Sequence, residues 1–329
     1  MPRRAGLPPV SRIIHEMTSL PFVTVQNAQL GGGGSLSFQQ ASASLINPFR
    51  EQLGLPPLRS LTTTDADSPQ LVLYAMSRHV RPPSPDWPPH YHLTGYFFLD
   101  EEEWQPALEL AEFIQAGEPP VVISFGSMTH DDPEAMTDLV LEAIGQVGCR
   151  AVIQHGWSGL ARRRLPPNLH ATGFVPHTWL FPRASCVVHH GGSGTTASVF
   201  RAGVPHVFVP HCWDQPMWAE LGEGLSCAGP SIPYTQLNAR RLASALTNTL
   251  NSSHYRQAAA ELGEKVRAEQ GVKKALRLIE GLVQKVGLRE EQEPLADESL
   301  AQDESRQGRS LRRKQYQQRQ RLRKREAGA

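Results

Sequence analysis

The chain has 329 residues, of which 40% are hydrophobic and 20% charged, as in ordinary globular proteins. At roughly 100–200 residues per domain, this length predicts about two domains. The formal net charge of +1 points to neither a nucleic-acid nor a membrane partner, and no apolar run reaches the roughly 18 residues of a membrane span. Four cysteines without CxxC spacing, and an N-terminus without a hydrophobic signal core, predict a reduced cytoplasmic protein.

Residues 1–118 have an irregular pattern, and the segment AGEPP at 116–120 is expected to be a linker. A helix is expected around 11–19, and 31–35 (GGGGS) is expected to be a flexible loop. The strand candidates in this part are 21–26 and 70–77, and 91–98 is expected to be extended.

Residues 119–287 alternate short apolar segments with helical ones, which predicts a parallel sheet covered on both faces, a doubly wound α/β domain. Asp132 is expected to cap a helix over 131–146, with Pro133 in its first turn. The predicted strands are 121–126, 150–156, 169–175, 185–190 and 205–210, and the later helices begin at Ser193 and cover 215–222, 235–250 and 254–285.

Residues 288–329 form a charged tail, acidic over 290–304 and strongly basic over 309–329. Such blocks usually remain solvated and disordered, or form a single charged helix. The alternative is that the basic end contacts nucleic acid or another anionic surface.

The most informative segment is HHGGSGTT, residues 189–196, between an apolar strand and a helix. Ligands of doubly wound sheets bind beyond the C-terminal ends of the strands. Glycines allow close approach of a phosphate, the helix start offers free N–H groups, and the hydroxyls and histidines add donors. This segment therefore predicts a cradle for a phosphate or diphosphate.

A glycine-rich turn alone is a weak signal, and a nicotinamide-dependent oxidoreductase is the alternative. Gly192, Gly194 and Ala197 satisfy a loose dinucleotide pattern, and Asp214 lies near the spacing of a ribose-binding acid. However, the motif lies several strand–helix units into the domain, and the acid sits in a loop rather than at a strand end.

Three further segments strengthen the diphosphate interpretation. Gly126 and Ser127 in SFGSM end the first strand of this domain, at the same sheet edge. Asp214 and Gln215 in WDQP suit the binding of neighbouring sugar hydroxyls, although Asp214 is equally suited to capping a helix. In GFVPH, Pro176 keeps Val175 extended, so that its backbone edge can meet a base, whereas His177 is expected to have a packing role.

These segments, in this order, resemble the family 1 nucleotide-sugar glycosyltransferases of the GT-B fold, especially members that act on sterols, macrolides and glycopeptide aglycones. The strongest match runs from about 119 to 250, with weaker similarity back to residue 74. The resemblance implies a complete C-terminal Rossmann-like domain and a truncated N-terminal α/β domain.

The resemblance also implies roles for individual residues. The donor diphosphate is expected to contact Ser127, His189, Gly191, Ser193, Gly194 and Thr195, with Gly126 in the same turn as Ser127. Val175 is expected to meet the base through its backbone, and Asp214 and Gln215 to bind the sugar. His190 is the less certain of the two histidines, because its neighbour occupies the family position.

The resemblance further implies metal-independent transfer of a hexose from a UDP-sugar, most simply UDP-glucose with dTDP-sugars second, to a lipophilic alcohol. The opening strand, glycine loop and general-base histidine of the family are not found, and His15 is expected to be structural. The chain is therefore expected to lack the first part of the acceptor domain. A nucleotide-sugar-binding relic without transfer activity is the alternative to an active enzyme.

Overall fold

The computed structural model describes residues 10–27, 36–59, 67–100, 103–156, 160 and 164–292. Both sheets of the protein belong to one compact unit, Met1–Ile279, and a second unit begins at Glu280. The glycine loop over 31–35 and nearly all of the charged tail lie outside the described residues. Within the described part, no helix is long and apolar enough to cross a membrane.

The first sheet is parallel and contains three strands in the order β1-β2-β3. The elements of this part are α1 (Val10–Thr18), β1 (Val23–Gln26), α2 (Leu36–Gln52), β2 (Leu71–Tyr74) and β3 (Tyr91–Leu93), followed by α3 (Leu108–Gln115) in the connection. The extended segment predicted over 91–98 pairs only over its first three residues. The predicted domain boundary at 118/119 falls between α3 and the next strand.

The second sheet contains five parallel strands in the order β6-β5-β4-β7-β8. Its strands are β4 (Val121–Ser124), β5 (Ala151–Gln154), β6 (Leu169–Thr172), β7 (Cys186–His189) and β8 (His206–Phe208). Its helices are α4 (Pro133–Val147), α5 (His177–Leu180), α6 (Ser193–Ala202), α7 (Gln215–Gly224), α8 (Ala239–Asn251), α9 (Ser253–Ala268) and α10 (Gly271–Gln292). The predicted α/β class with a doubly wound parallel sheet is confirmed.

The alternation of side chains along each strand divides the core between the two faces of this sheet. Val121 and Ile123 pack with α4 and α8 on one face, whereas Val122 packs on the other with residues of α5 and α6. Because both faces are covered, the strands consist almost entirely of buried apolar residues, as the sequence pattern predicts.

Local signals set the helix starts. The Asp132 carboxylate accepts a hydrogen bond from the Ala135 N–H at 2.9 Å, which confirms the predicted cap of α4. The helix predicted from residue 235 begins instead at Ala239, because Asn238 accepts from the Arg241 N–H at 3.0 Å and residues 234–236 form a 3₁₀ turn.

The first sheet packs against the second domain through a separate apolar cluster. Tyr74 and Met76 meet Phe200 of α6, Trp218 of α7 and Leu262 of α9 in this cluster. The C-terminal ends of β2 and β3 are thereby held beside the helices that follow β7 and β8.

Candidate nucleotide-sugar site

All of the predicted site segments lie at the C-terminal edge of the five-stranded sheet. The strand order places the Val175 segment after β6, Gly126 and Ser127 after β4, the glycine turn after β7, and Asp214 beyond β8. Neighbouring strands are about 4.8 Å apart, so the edge from β6 to β8 spans about 19 Å. This distance suits an extended ligand that crosses several strands.

The turn after β4 has a glycine where the backbone requires one. Gly126 has φ +58°, which is unfavourable for residues with a Cβ, and the Met128 N–H donates to the Phe125 carbonyl at 3.0 Å to close the turn. Ser127 is exposed at its tip. The structure therefore places Ser127 where its hydroxyl can reach a ligand at the edge.

The turn after β7 leads directly into α6. Gly192 occupies the position before the helix and supplies no side-chain cap, so the first N–H groups of α6 have no such partner. Ser193 and Gly194 lie in this first turn with at least part of their surface open to solvent, whereas Thr195 is buried. Free N–H groups at a helix start attract an anion.

Gly191 connects this turn to the segment after β8. Its φ is +86°, and a Cβ added there would lie 3.1 Å from the Gln215 carbonyl oxygen and 3.3 Å from the Phe208 ring. Only a glycine allows this approach, which brings the turns after β7 and β8 together.

The structure separates the roles of the two histidines in a way that the sequence did not predict. His189, the last residue of β7, is completely buried, and its ring packs 4.6 Å from Phe208 and 5.4 Å from His206 between ring centroids. Its Nδ1 accepts the Gly191 N–H at 3.2 Å. The predicted diphosphate contact of His189 stays a prediction, and the ring has no exposed surface for it.

His190 instead lies between the two glycine turns. A Cβ at Gly126 would be 2.9 Å from its Cε1, and a Cβ at Gly192 would be 2.4 Å from its Nε2. Both turns therefore lack side chains where the imidazole passes. His190 is better placed than His189 to contact a ligand held by these turns.

Burial keeps both imidazoles neutral in the free protein. It lowers the pKa of His190 to about 4, although the nearby Asp214 carboxylate acts in the opposite direction. Burial, together with repulsion from neighbouring histidines, holds the pKa of His189 well below its usual value. An anion bound beside His190 would raise the pKa of His190.

The Val175 segment is fixed by a buried chain of hydrogen bonds. Ser124 Oγ donates to Gln154 Oε1 at 2.8 Å, and Gln154 Nε2 donates to the Val175 carbonyl at 2.9 Å. One acceptor position of the Val175 carbonyl is thus used within the protein, and the backbone contact of Val175 with a base stays a prediction. The neighbouring Phe174 is 72% exposed at the same edge, a ring that the sequence reasoning passed over.

Asp214 and Gln215 both have partners within the protein. Asp214 Oδ2 accepts the indole N–H of Trp218 at 2.9 Å and makes no side-chain cap of α7, contrary to the capping alternative. Gln215 Oε1 accepts the N–H groups of His211 at 2.7 Å and of Cys212 at 3.2 Å. Gln215 thus shapes the turn before α7, and the Asp214 carboxylate is near enough to His190 to act on its pKa.

Two more histidines, which the sequence analysis did not single out, lie near this edge. His211 stacks on Tyr234 at 4.2 Å between ring centroids, and His130 lies 5.6 Å from each of these rings. Their Nε2 atoms are buried without a hydrogen-bond partner among the described residues. Both follow strands, at 130 and 211, which is the positional signal that pointed to the other site residues.

His15 lies away from this edge. Its Nδ1 is 2.7 Å from the Leu20 carbonyl oxygen, and its ring is 5.7 Å from Phe22. Among the described side chains, no three His, Cys, Asp or Glu groups are arranged to hold a metal ion.

Comparison with known proteins identifies relatives of this arrangement. Residues 138–284 match the family described as erythromycin biosynthesis protein CIII-like, C-terminal domain. The chain is 37% identical over 238 residues to O-mycaminosyltylonolide 6-deoxyallosyltransferase of Streptomyces fradiae, covering 71% of this chain and 55% of that protein. It is 38% identical over 239 residues to sterol 3-beta-glucosyltransferase UGT80B1 of Arabidopsis thaliana, covering 70% and 38%. The chain thus spans about half the length, or less, of these relatives.

Solved structures show the same fold at lower identity. A glycotransferase of kitacinnamycin superposes with a TM-score of 0.69 at 21% identity, over 83% of this chain and 74% of that one. Spinosyn rhamnosyltransferase SpnG complexed with thymidine diphosphate superposes with a TM-score of 0.59 at 21% identity, over 83% and 70%. The motif, the relatives and the fold agree, and together they support a family 1 glycosyltransferase of the GT-B fold.

Proposed function

We propose that this protein binds a UDP-hexose, most simply UDP-glucose, and transfers the hexose to a hydroxyl of a lipophilic acceptor. The observation that carries the proposal is the order of groups along the sheet edge. Val175 and the exposed Phe174 lie at the β6 end, the two glycine turns in the centre, and Asp214 at the β8 end. This is the order of base, diphosphate and sugar in an extended nucleotide sugar.

Each part of the donor has a matching group. The Phe174 ring offers a face on which a base can stack, worth about 1–3 kcal/mol in other nucleotide complexes. The start of α6 and the Ser127 hydroxyl would hold the diphosphate, with His190 between them. The Asp214 carboxylate would accept hydrogen bonds from hydroxyls of the hexose.

The transfer would be a displacement at the anomeric carbon. The acceptor oxygen forms its bond to that carbon as the bond to the diphosphate oxygen breaks, and a general base takes the acceptor proton. Negative charge grows on the leaving diphosphate, where the N–H groups of α6 and the His190 ring would stabilise it. No residue of this chain is assigned as the base, and the proposed transfer uses no metal.

Relatives support the donor and acceptor classes without deciding them. One solved relative binds thymidine diphosphate, which keeps dTDP-sugars as the second choice of donor. The names of other relatives specify a sterol and a macrolide-type acceptor, so we expect a lipophilic alcohol. A cytoplasmic location fits this proposal. Binding without transfer is the second candidate, and the comparisons do not favour the oxidoreductase alternative.

The donor proposal is tested by thermal unfolding with UDP, UDP-glucose, dTDP-glucose, GDP-mannose and NADH. A ligand at a hundred times its Kd adds about 2.7 kcal/mol of stability. We expect UDP and UDP-glucose to raise Tm most, and His190→Ala to reduce the shift more than His189→Ala. Stabilisation by NADH alone would contradict the donor assignment.

Transfer is then tested separately with radiolabelled UDP-glucose and a mixture of sterol and macrolide alcohols. Labelled product soluble in organic solvent is expected from an active enzyme. UDP-glucose binding without product, in a sample that remains folded, would favour the binding-only candidate.

A further inference from the structure

Trp213 is unusual in both its backbone and its exposure. It has φ +58°, a left-handed conformation that bulky residues rarely adopt, and its side chain is 76% exposed. Strained backbone of this kind tends to occur at functional sites. A large indole kept in solvent by a disfavoured backbone needs an explanation beyond packing.

Neighbouring residues impose this conformation. The Gln215 side chain accepts the N–H groups of both His211 and Cys212, and the Gln215 N–H donates to the Cys212 carbonyl at 3.2 Å. Gln215 itself is buried against Gly191. The turn is therefore closed by a buried amide, and Trp213 projects from it.

The indole differs in exposure from the two residues that follow it in the chain. Asp214, the residue proposed for the donor hexose, turns inward to Trp218 and is only half-buried, and Gln215 is buried. The indole of Trp213 is much more exposed than either of these side chains, so its face is open to a ligand from solvent.

The segment between β2 and β3 contacts α7, the helix that follows this turn. Arg81 donates to Met217 Sδ at 3.7 Å, and Trp87 packs into the apolar cluster that contains Met217 and Trp218. Trp213 lies two residues before Gln215, the first residue of α7, on which these contacts converge. The turn that carries Trp213 thus leads into the helix that residues between β2 and β3 contact.

We propose that the Trp213 indole is an apolar platform for the lipophilic acceptor, next to the reacting carbon of the donor sugar. This inference rests on the proposed function, because it assigns the donor hexose to Asp214. The planar face of the indole would lie against a flat polycyclic alcohol and position its hydroxyl.

The experiment uses the full chain and two separate titrations. Binding of dehydroergosterol, a fluorescent sterol, is followed by the anisotropy of its own emission, so removal of a tryptophan does not remove the signal. Binding of UDP and of UDP-glucose is measured by calorimetry. Trp213→Gly removes the indole and suits the left-handed backbone, Trp213→Phe retains an aromatic ring, and Ser226→Gly is the control at another left-handed residue (φ +55°).

We expect Trp213→Gly to fold with an unchanged or higher Tm and to weaken sterol binding at least about tenfold, as loss of a central aromatic contact does. Trp213→Phe should lose less, Ser226→Gly should match wild type, and affinity for both nucleotides should be unchanged. Unchanged sterol affinity in Trp213→Gly, or a wild-type protein that binds UDP but no sterol, would overturn the proposal. Weaker UDP-glucose binding with unchanged UDP binding would reassign the indole to the donor hexose, whereas a wild type that binds no UDP would overturn the proposed function itself.

Discussion

Substitution of Gly192 by alanine probes the contact on which the diphosphate site depends. Gly192 has φ −64° and ψ 142°, a conformation that alanine adopts freely, so the backbone itself tolerates the change. The new Cβ, however, would lie 2.4 Å from His190 Nε2, whereas ordinary contacts begin near 3.4 Å. The imidazole must therefore move by about the difference, 3.4 minus 2.4, or 1.0 Å.

The expected magnitude follows from two opposing effects on stability. Overpacking of this kind costs about 1–3 kcal/mol, and the restricted unfolded chain returns about 0.4–1 kcal/mol. A net loss of about 1–2 kcal/mol lowers Tm by roughly 2–8 °C. Displacement of His190 also removes a donor to a charged phosphate, worth about 1.5–3 kcal/mol, so the Kd for UDP-glucose should rise about 10- to 100-fold.

Calorimetric titration and thermal unfolding measure the two effects on the same samples. Gly145→Ala in α4 is the matched control, because a Cβ there meets no atom within 4 Å. It should gain up to about 1 kcal/mol and bind UDP-glucose normally. Wild-type affinity in Gly192→Ala would refute the placement of His190 at the diphosphate.

Three further predictions concern the same edge and the core below it. Gly194→Ala should stabilise the free protein by about 0.5–1 kcal/mol, since a Cβ there meets no protein atom within 4 Å. The same methyl group should weaken UDP-glucose binding, measured by calorimetry, because it would enter the space proposed for the phosphate. An affinity equal to that of wild type would count against a phosphate at this turn. Gln154→Ala should lower the free energy of unfolding, measured in urea, by at least about 2 kcal/mol, because Ser124 Oγ and the Val175 carbonyl lose their buried hydrogen-bond partner. A loss below about 0.5 kcal/mol would contradict a stabilising role for this chain of hydrogen bonds. Burial lowers the pKa values of His177 and His206 to about 4, so the unfolded chain binds more protons than the folded protein below about pH 6.5. The free energy of unfolding should therefore fall as pH decreases from about 6.5 towards 4, by up to about 1.4 kcal/mol per pH unit for each histidine. Urea unfolding of wild type and His206→Gln at several pH values tests this, and an identical dependence of stability on pH in the two proteins would argue against it.

Much of the fold follows from local sequence signals. The apolar segments at 121–124, 151–154 and 186–189 predict buried strands because each is short and bounded by turn residues. The cap at Asp132 and the glycine turn before α6 are likewise readable, since they depend on residues adjacent in the chain. The start of α8 was predicted at residue 235 and lies at Ala239, because residues 234–236 form a 3₁₀ turn before the Asn238 cap.

The sequence by itself determined the α/β class and the set of turns that meet at the C-terminal edge, because strand and helix periodicity and turn chemistry are properties of neighbouring residues. Only the tertiary structure decided the strand order, which lines up the Val175 segment, the glycine turns and Asp214 across the sheet. It also decided that His189 is buried while His190 passes between Gly126 and Gly192. These features depend on contacts between residues distant in the chain, and no local pattern encodes which of two adjacent histidines finds space beside a glycine from another strand.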